Sequence, residues 1–189
     1  MSDPSSPTTG SVNPVDETKE HEPEGPVIVH VPHASRLMPS PAIDETTTAL
    51  GLIAKHHANQ VDKLDKPYVL HLLRVASNVT PAARPAALLH DIVEDTAVTR
   101  QDLLDQGFSQ DTCDAISAVT KPDGADYLGY VRSLLSVPGP AGEYAREIKR
   151  SDLTDNLSED RRRPGDEESR ERYRAALAIL DSASAPPSR

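Results

Sequence analysis

The sequence predicts an all-α protein, a bundle of seven or eight helices with a disordered N-terminal tail. From Asp44 onward, apolar residues recur at the three-to-four-residue spacing of amphipathic helices. Residues 27–31 are the one short β-branched run with the composition of a strand. Residues 1–26 hold five prolines among Ser, Thr, Asp and Glu, with almost no large apolar side chains to offset the entropy of ordering.

Length and charge narrow the function classes. The chain has 189 residues, which suits one domain with tails, and its 30 acidic and 20 basic residues give a net charge of −10. This balance argues against a nucleic-acid or membrane binder that relies on a basic surface. The single cysteine excludes an intramolecular disulfide, and neither a signal peptide nor a spanning apolar segment is present. We therefore expect a cytoplasmic protein that binds neither nucleic acid nor membrane, with its oligomeric state left open.

Four segments follow from composition. A disordered, acidic and proline-rich tail covers residues 1–26, a short strand and loop cover 27–43, a helical domain covers 44–182, and a frayed tail covers 183–189. The first helix of the domain has one predicted apolar stripe, made of Leu50, Ile53, Ala54, His57 and Val61.

The other helices are predicted in chain order. Pro67 suits the first turn of the second helix, and residues 85–95 form a third whose apolar residues cover more than one face, as in a centrally buried helix. Residues 99–102 resemble a capping box, and Gly107 can close that helix. Further helices are predicted over residues 109–119, 126–136, 140–157 and 170–180, with a charged loop over 159–168.

The third helix carries the most informative motif. His90, Asp91, Glu94 and Asp95 stand in an otherwise apolar segment, although burying charged groups is costly unless they are paired or bind a metal. An adjacent His and Asp can bind one divalent cation, and the two later carboxylates lie one turn away, where they could handle protons.

Two more positions suit metal ligands. His71 lies on an apolar helix, and Asp152 is followed four residues later by Asn156. With His90 and Asp91 they form a set of two imidazoles and two carboxylates, which suits manganese, iron, cobalt or zinc. A histidine alone on an apolar helix is more often a hydrogen-bonded core residue, but the joint occurrence of HDxxED, an upstream His and a downstream DxxxN favours a metal site.

These motifs resemble those of the HD-domain metal-dependent phosphohydrolases, and among them the hydrolase domain of RelA/SpoT-like alarmone enzymes, including the small stand-alone hydrolases. The resemblance spans residues 49–180. It rests on HxxQ at 57–60, PYxxH at 67–71, HDxxED at 90–95, VTK at 119–121 and DxxxN at 152–156.

The resemblance implies a role for each matching residue. His71, His90, Asp91 and Asp152 would hold Mn²⁺ or another divalent transition metal, Glu94 and Asp95 would orient and activate water, and Asn156 would help to place the substrate. Lys55, Lys63 and Tyr68 are further candidates for substrate binding, with Lys66 as a nearby positive charge.

The implied activity is hydrolysis of the 3′-pyrophosphate of guanosine tetra- or pentaphosphate to GDP or GTP and pyrophosphate. Val61 and Asp62 stand where the family has a basic residue that packs on guanine, and Leu72 replaces a proline. The alternatives are a phosphohydrolase of another nucleotide and a non-catalytic module whose metal only holds the helices together. Residues 29–36 resemble the opening of N-formylglutamate amidohydrolases, but we expect neither His30 nor His33 to be catalytic.

Overall fold

The computed structural model describes residues 41–182, with side chains from residue 45 onward. Several predictions fall on residues that the structure does not describe. They are the tail over 1–26, most of the strand and loop over 27–43 with His30 and His33, and the tail over 183–189. Within the described residues the all-α prediction is confirmed, because the chain forms nine α-helices, two 3₁₀ turns and no strand beyond a single bridge between Val61 and Pro67.

The helices follow one another with short connections. They are α1 (Pro41–His56), α2 (Val69–Ser77), α3 (Arg84–Leu88), α4 (Ile92–Asp95), α5 (Arg100–Asp105), α6 (Gln110–Val119), α7 (Tyr127–Ser133), α8 (Gly139–Leu157) and α9 (Glu167–Ser182). The 3₁₀ turns are Leu134–Ser136, which continues α7, and Glu159–Arg161, which lies inside the stretch predicted as a loop. Among these described helices, none is long and apolar enough to cross a bilayer.

Helix α8 is the centre of the bundle and packs against α2, α6 and α9. Its buried residues include Ala141, Ala145, Ile148 and Asp152, which are spaced four, three and four apart and so share one face. Burial of an aliphatic side chain such as Ile148 contributes about 1.5–3 kcal/mol. Asp152 occupies the next position of this apolar stripe, and the packing of α8 therefore carries its carboxylate into the interior.

The buried face of α1 differs from the predicted one. Ala49, Leu52 and Ile53 are buried, whereas Leu50 is 41% exposed. Val61 was placed on the same stripe, but α1 ends at His56, and Val61 lies in the following loop with 54% of its surface exposed. The prediction of Leu50 as the core residue is wrong, because the smaller Ala49 faces the core instead.

The single helix predicted over residues 85–95 is interrupted. Helix α3 ends at Leu88 and α4 begins at Ile92, with Leu89 at φ −102°, ψ 8° and Asp91 at φ −103°, ψ 0°. These values lie in the sparsely populated region between helix and strand, where active-site residues are often found. Adjacent side chains on a regular helix point about 100° apart and do not face each other. The interruption allows His90 and Asp91 to do so.

The predicted helix caps are confirmed at α5. The Thr99 hydroxyl and the Asp102 carboxylate form a reciprocal capping box, and Gly107, at φ 90°, follows the helix in the left-handed conformation that glycine adopts without strain. Ser109 caps α6 through a bond from the Thr112 amide.

Candidate metal centre and substrate pocket

Three buried side chains bring potential ligand atoms together in the interior. His71 from α2, His90 from the turn between α3 and α4, and Asp152 from α8 each offer one atom, and these atoms lie within 4.8 Å of one another. The distance from His71 Nε2 to Asp152 Oδ1 is 3.4 Å, and that from His90 Nε2 to the same oxygen is 4.0 Å.

Asp91 lies at the edge of this cluster. Its Oδ2 is 2.9 Å from His90 Nε2 and 3.9 Å from His71 Nε2, and it accepts a hydrogen bond of 2.5 Å from the Tyr68 hydroxyl. The structure thus brings together all four residues that the sequence nominated as metal ligands.

The two imidazoles are oriented through the nitrogen that faces away from the cluster. His90 Nδ1 lies 2.9 Å from the Ala87 carbonyl, which can only accept, so Nδ1 carries the proton. His71 Nδ1 lies 2.7 Å from Asp155 Oδ2. Both Nε2 atoms are then directed into the cluster, where buried His90 Nε2 lies 2.9 Å from Asp91 Oδ2. Two imidazole nitrogens and two carboxylates held in this way fit a divalent transition metal.

The carboxylates around the cluster are held in their charged form. Burial opposes the charge of Asp152, but the Lys149 ammonium at 2.8 Å from Oδ2 and the neighbouring histidines hold its pKa well below the usual range. Burial likewise opposes the charge of Asp91, and the pKa of this group falls to about 2 because of His90. The Asn156 amide donates to Asp152 Oδ1 at 2.5 Å.

Asp155 was not nominated from the sequence as a functional residue. Its carboxylate accepts from Arg74 at 2.5 and 3.1 Å, faces Arg161 at 3.5 Å and contacts His71. Burial opposes its charge, yet these hydrogen bonds lower its pKa to about 2. Asp155 therefore presents a fixed negative charge to the outer nitrogen of a candidate metal ligand.

A pocket of about 280 Å³ opens beside the ligand cluster. Its wall includes four basic and four aromatic side chains: Lys63, Lys121, Lys149, Arg161, Tyr68, Tyr127, Tyr130 and Tyr173. In the described part of the chain, Lys63 and Lys121 form no ion pair with a carboxylate, whereas Lys149 and Arg161 do. The wall also carries four carboxylates, those of Asp62, Asp91, Glu94 and Asp152, so the two lysines without a carboxylate partner among the described residues are the positive charges available to a ligand.

Four of the candidate site residues line the pocket: Glu94, Asn156, Lys63 and Tyr68. Glu94 Oε2 lies 3.4 Å from the backbone nitrogen of Lys121. Asp95 does not line it, and its Oδ2 accepts from Gln60 at 2.9 Å.

Lys55 and Lys66 lie outside the pocket wall. Lys55 is exposed on α1, and the Lys66 ammonium donates to the carbonyl of Asp160 at 3.3 Å. Val61 lines the mouth of the pocket. Asp62 is buried, accepts from the amides of Leu64 and Lys66, and faces Arg161 at 3.7 Å. Asp62 therefore lies on the pocket wall with its carboxylate bound by its own loop.

Comparisons with known proteins bear on the resemblance that the sequence motifs indicated. No protein-family model matches the chain. Over 97 residues, 49% of its length, the chain is 33% identical to a GTP pyrophosphokinase of Myxococcus xanthus, of which it covers only 13%. Among solved structures, it resembles a metazoan ortholog of SpoT that hydrolyzes ppGpp and plays a role in starvation responses. That match has a TM-score of 0.58 and 23% identity over 77% of this chain and 89% of the other. The resemblance to RelA/SpoT-like proteins that the motifs indicated is confirmed, and the fold is that of the SpoT ortholog.

Proposed function

We propose that the chain is a metal-dependent hydrolase that removes the 3′-pyrophosphate of guanosine tetra- and pentaphosphate, which yields GDP or GTP and pyrophosphate. The observation that carries this proposal is the convergence of His71, His90, Asp91 and Asp152 beside a pocket with lysines on its wall. The likeness to a ppGpp-hydrolysing protein supports the substrate class.

The four converging residues would hold the metal. A divalent cation bound there supplies Lewis-acid polarisation of a phosphoryl oxygen and lowers the pKa of water. Manganese is our proposed ion, because paired imidazole and carboxylate ligands suit it. By the same likeness to SpoT, we propose that the protein acts in the cytoplasm.

Glu94 is the proposed proton acceptor, since its carboxylate lines the pocket on the helix next to the ligands. The attacking water loses a proton to it, and the water oxygen bonds to the phosphorus attached to O3′. The bond from this phosphorus to O3′ then breaks, and O3′ takes up a proton as it leaves. Lys63 and Lys121 bind the phosphates, because they lie on the wall with no carboxylate partner among the described residues.

A second candidate is a related phosphohydrolase with another base preference. It is favoured by the side chains at positions 61 and 62, because Val61 offers no cation at the mouth and the Asp62 carboxylate is bound within its loop. A non-catalytic role for the metal is less favoured, since such a site has no use for Glu94 on the pocket wall.

The test combines metal analysis with product release. Purified protein is analysed for bound metals, and pyrophosphate release is measured from ppGpp and from a panel of other nucleotides. We expect one metal ion per chain and release of pyrophosphate from ppGpp, both lost in Asp91→Ala because a ligand is removed. Metal stoichiometry in Asp91→Ala equal to that of wild type, or no release from ppGpp by metal-loaded wild type, would contradict the proposal.

A further inference from the structure

The loop between α1 and α2 contacts the carboxylates at both ends of α4, those of Asp91 at its start and Asp95 at its end. Tyr68 donates to Asp91, and Gln60 Nε2 donates to Asp95 Oδ2 at 2.9 Å. Gln60 belongs to the HxxQ motif, which the proposed chemistry leaves without a role. Its hydrogen bond joins it to one of the two carboxylates nominated to handle water.

We propose that His57 and Gln60 are positioning residues, a relay of two hydrogen bonds that fixes the Asp95 carboxylate for the reaction. The inference rests on the proposed function for its kinetic consequence. Neither residue touches the reacting atoms, and both act through Asp95.

The direction of the relay follows from its donors and acceptors. His57 Nδ1 lies 2.5 Å from Gln60 Oε1, and since an amide oxygen only accepts, His57 donates from Nδ1. The amide nitrogen of Gln60 then points at Asp95, to which it can only donate. A flipped amide would set its oxygen against the carboxylate and its nitrogen against the Nδ1 donor. The Asp95 carboxylate on one side and an Nδ1 donor of buried His57, which is 1% exposed, on the other therefore require the same orientation of the Gln60 amide.

The backbone of the loop is itself held in place. The Tyr68 amide donates to the Gln60 carbonyl at 2.9 Å, and the Asp62 amide donates to the Lys66 carbonyl at 2.8 Å. The Asp62 carboxylate accepts from the amides of Leu64 and Lys66 at 2.8 and 3.1 Å. Gln60 thus projects from a loop closed by several hydrogen bonds.

Asp95 needs such a partner because of its place in the fold. It is the last residue of the four-residue helix α4, and its side chain is exposed. An exposed side chain at a helix end samples several rotamers, and one hydrogen bond from a held donor restricts it. Asp95 lies outside the pocket wall but follows Glu94 directly at the end of α4, so the relay acts on turnover by holding the helix end that carries Glu94. Displacing a catalytic group by about 1 Å can cost about 100-fold in rate.

The kinetic test compares variants that change the relay in steps. Gln60→Glu keeps the shape but removes the donor, and Gln60→Asn keeps the amide on a shorter side chain. We expect kcat to fall by roughly 10–100-fold in both, with KM within about twofold and an unchanged metal Kd. His56→Gln is the matched control, since His56 is half-buried beside the relay and takes no part in it. Wild-type kcat in Gln60→Glu, or a fall in metal affinity equal to the fall in kcat, would overturn the inference.

A double-mutant cycle tests whether Gln60 acts through Asp95. Gln60→Ala should reduce kcat in wild type but cause no further loss in the Asp95→Ala background, because the acceptor is gone. Losses that multiply would show that Gln60 acts independently and would overturn the relay.

A spectroscopic readout separates the relay from the proposed function. Imidazole ¹⁵N–¹H correlation spectra of zinc-loaded protein should show His57 protonated at Nδ1, and this signal should shift in Gln60→Ala. A His57 ring protonated only at Nε2 overturns the relay whatever the activity. Should wild type fail to hydrolyse ppGpp while His57 has the expected tautomer, the proposed function fails and the relay geometry stands.

Discussion

Replacing Asp155 by asparagine should weaken metal binding without unfolding the protein. The Asp155 carboxylate accepts from His71 Nδ1 at 2.7 Å and so holds Nε2 toward the ligand cluster. Asparagine can still accept at this position but carries no charge, and imidazole becomes a poorer ligand when its outer partner is neutral. Changes at such outer partners typically reduce metal affinity by about 10–100-fold, which is about 1.4–2.7 kcal/mol.

The fold should tolerate this change because the two arginines next to Asp155 keep other interactions. Arg74 is 44% exposed and can be solvated, and Arg161 still faces Asp62 at 3.7 Å. The assay is Mn²⁺ binding in competition with a chelator, together with thermal unfolding of the metal-free proteins. Asp181→Asn is the control, because it removes a charge that pairs with Arg150 at 2.9 Å and is 59% exposed. Equal Mn²⁺ affinity in Asp155→Asn and wild type would refute the reasoning.

Three further predictions concern turnover, base preference and acid stability. Glu94→Gln should keep the metal but lose about 100-fold or more in turnover, since a proton acceptor is removed. Metal analysis and single-turnover rates check this, and an unchanged rate would contradict the role of Glu94. Since Val61 and Asp62 supply no stacking cation, kcat/KM for guanosine and adenosine 3′-pyrophosphates should agree within roughly 30-fold; a preference above about a thousandfold would contradict it. The pKa of Asp62 is lowered because the Leu64 and Lys66 amides and Arg161 outweigh the opposing effect of burial. Its stabilisation is therefore present above the unfolded pKa of 3.8 and is lost as the pH falls through the folded pKa. Asp62→Asn should accordingly reduce the difference in unfolding free energy between about pH 6 and about pH 3, and an unchanged difference in urea titrations would count against this account.

The candidate ligands could be predicted because HDxxED, an upstream His and a downstream DxxxN occur together. His71 lies between leucines, whereas Asp152 lies in a polar stretch and was nominated through the motif alone. The structure shows that Asp152 continues the buried stripe of α8. Helical periodicity was likewise sufficient for most helix bounds, since an amphipathic pattern reports one buried face.

The interruption between α3 and α4 had no signal in the sequence. Residues 86–95 contain neither glycine nor proline, and every residue in them is compatible with a helix. The turn is held by contacts from other parts of the fold, such as the hydrogen bond from the Tyr68 hydroxyl to Asp91, 23 residues away in sequence.

The residues that surround the candidate ligands could not be predicted from the sequence either, for a different reason. Arg161 lies in a stretch of charged residues, which is usually solvated, yet it is 9% exposed because Asp62 and Asp155 flank it. Asp155 gains its place from an arginine on α2 that is 81 residues away in sequence. Pairings over such separations depend on how the helices pack, which a local pattern does not report.

The interrupted helix sets helical regularity against the approach of two candidate ligands in this segment. A continuous helix over residues 84–95 would add regular backbone hydrogen bonds, but it would turn Asp91 about 100° away from His90. Directed evolution for heat resistance alone could therefore select helix-straightening substitutions near Leu89 that raise the melting temperature while separating two adjacent ligands. Libraries aimed at a more robust protein should leave residues 89–91 unchanged and place stabilising substitutions in helices remote from the pocket.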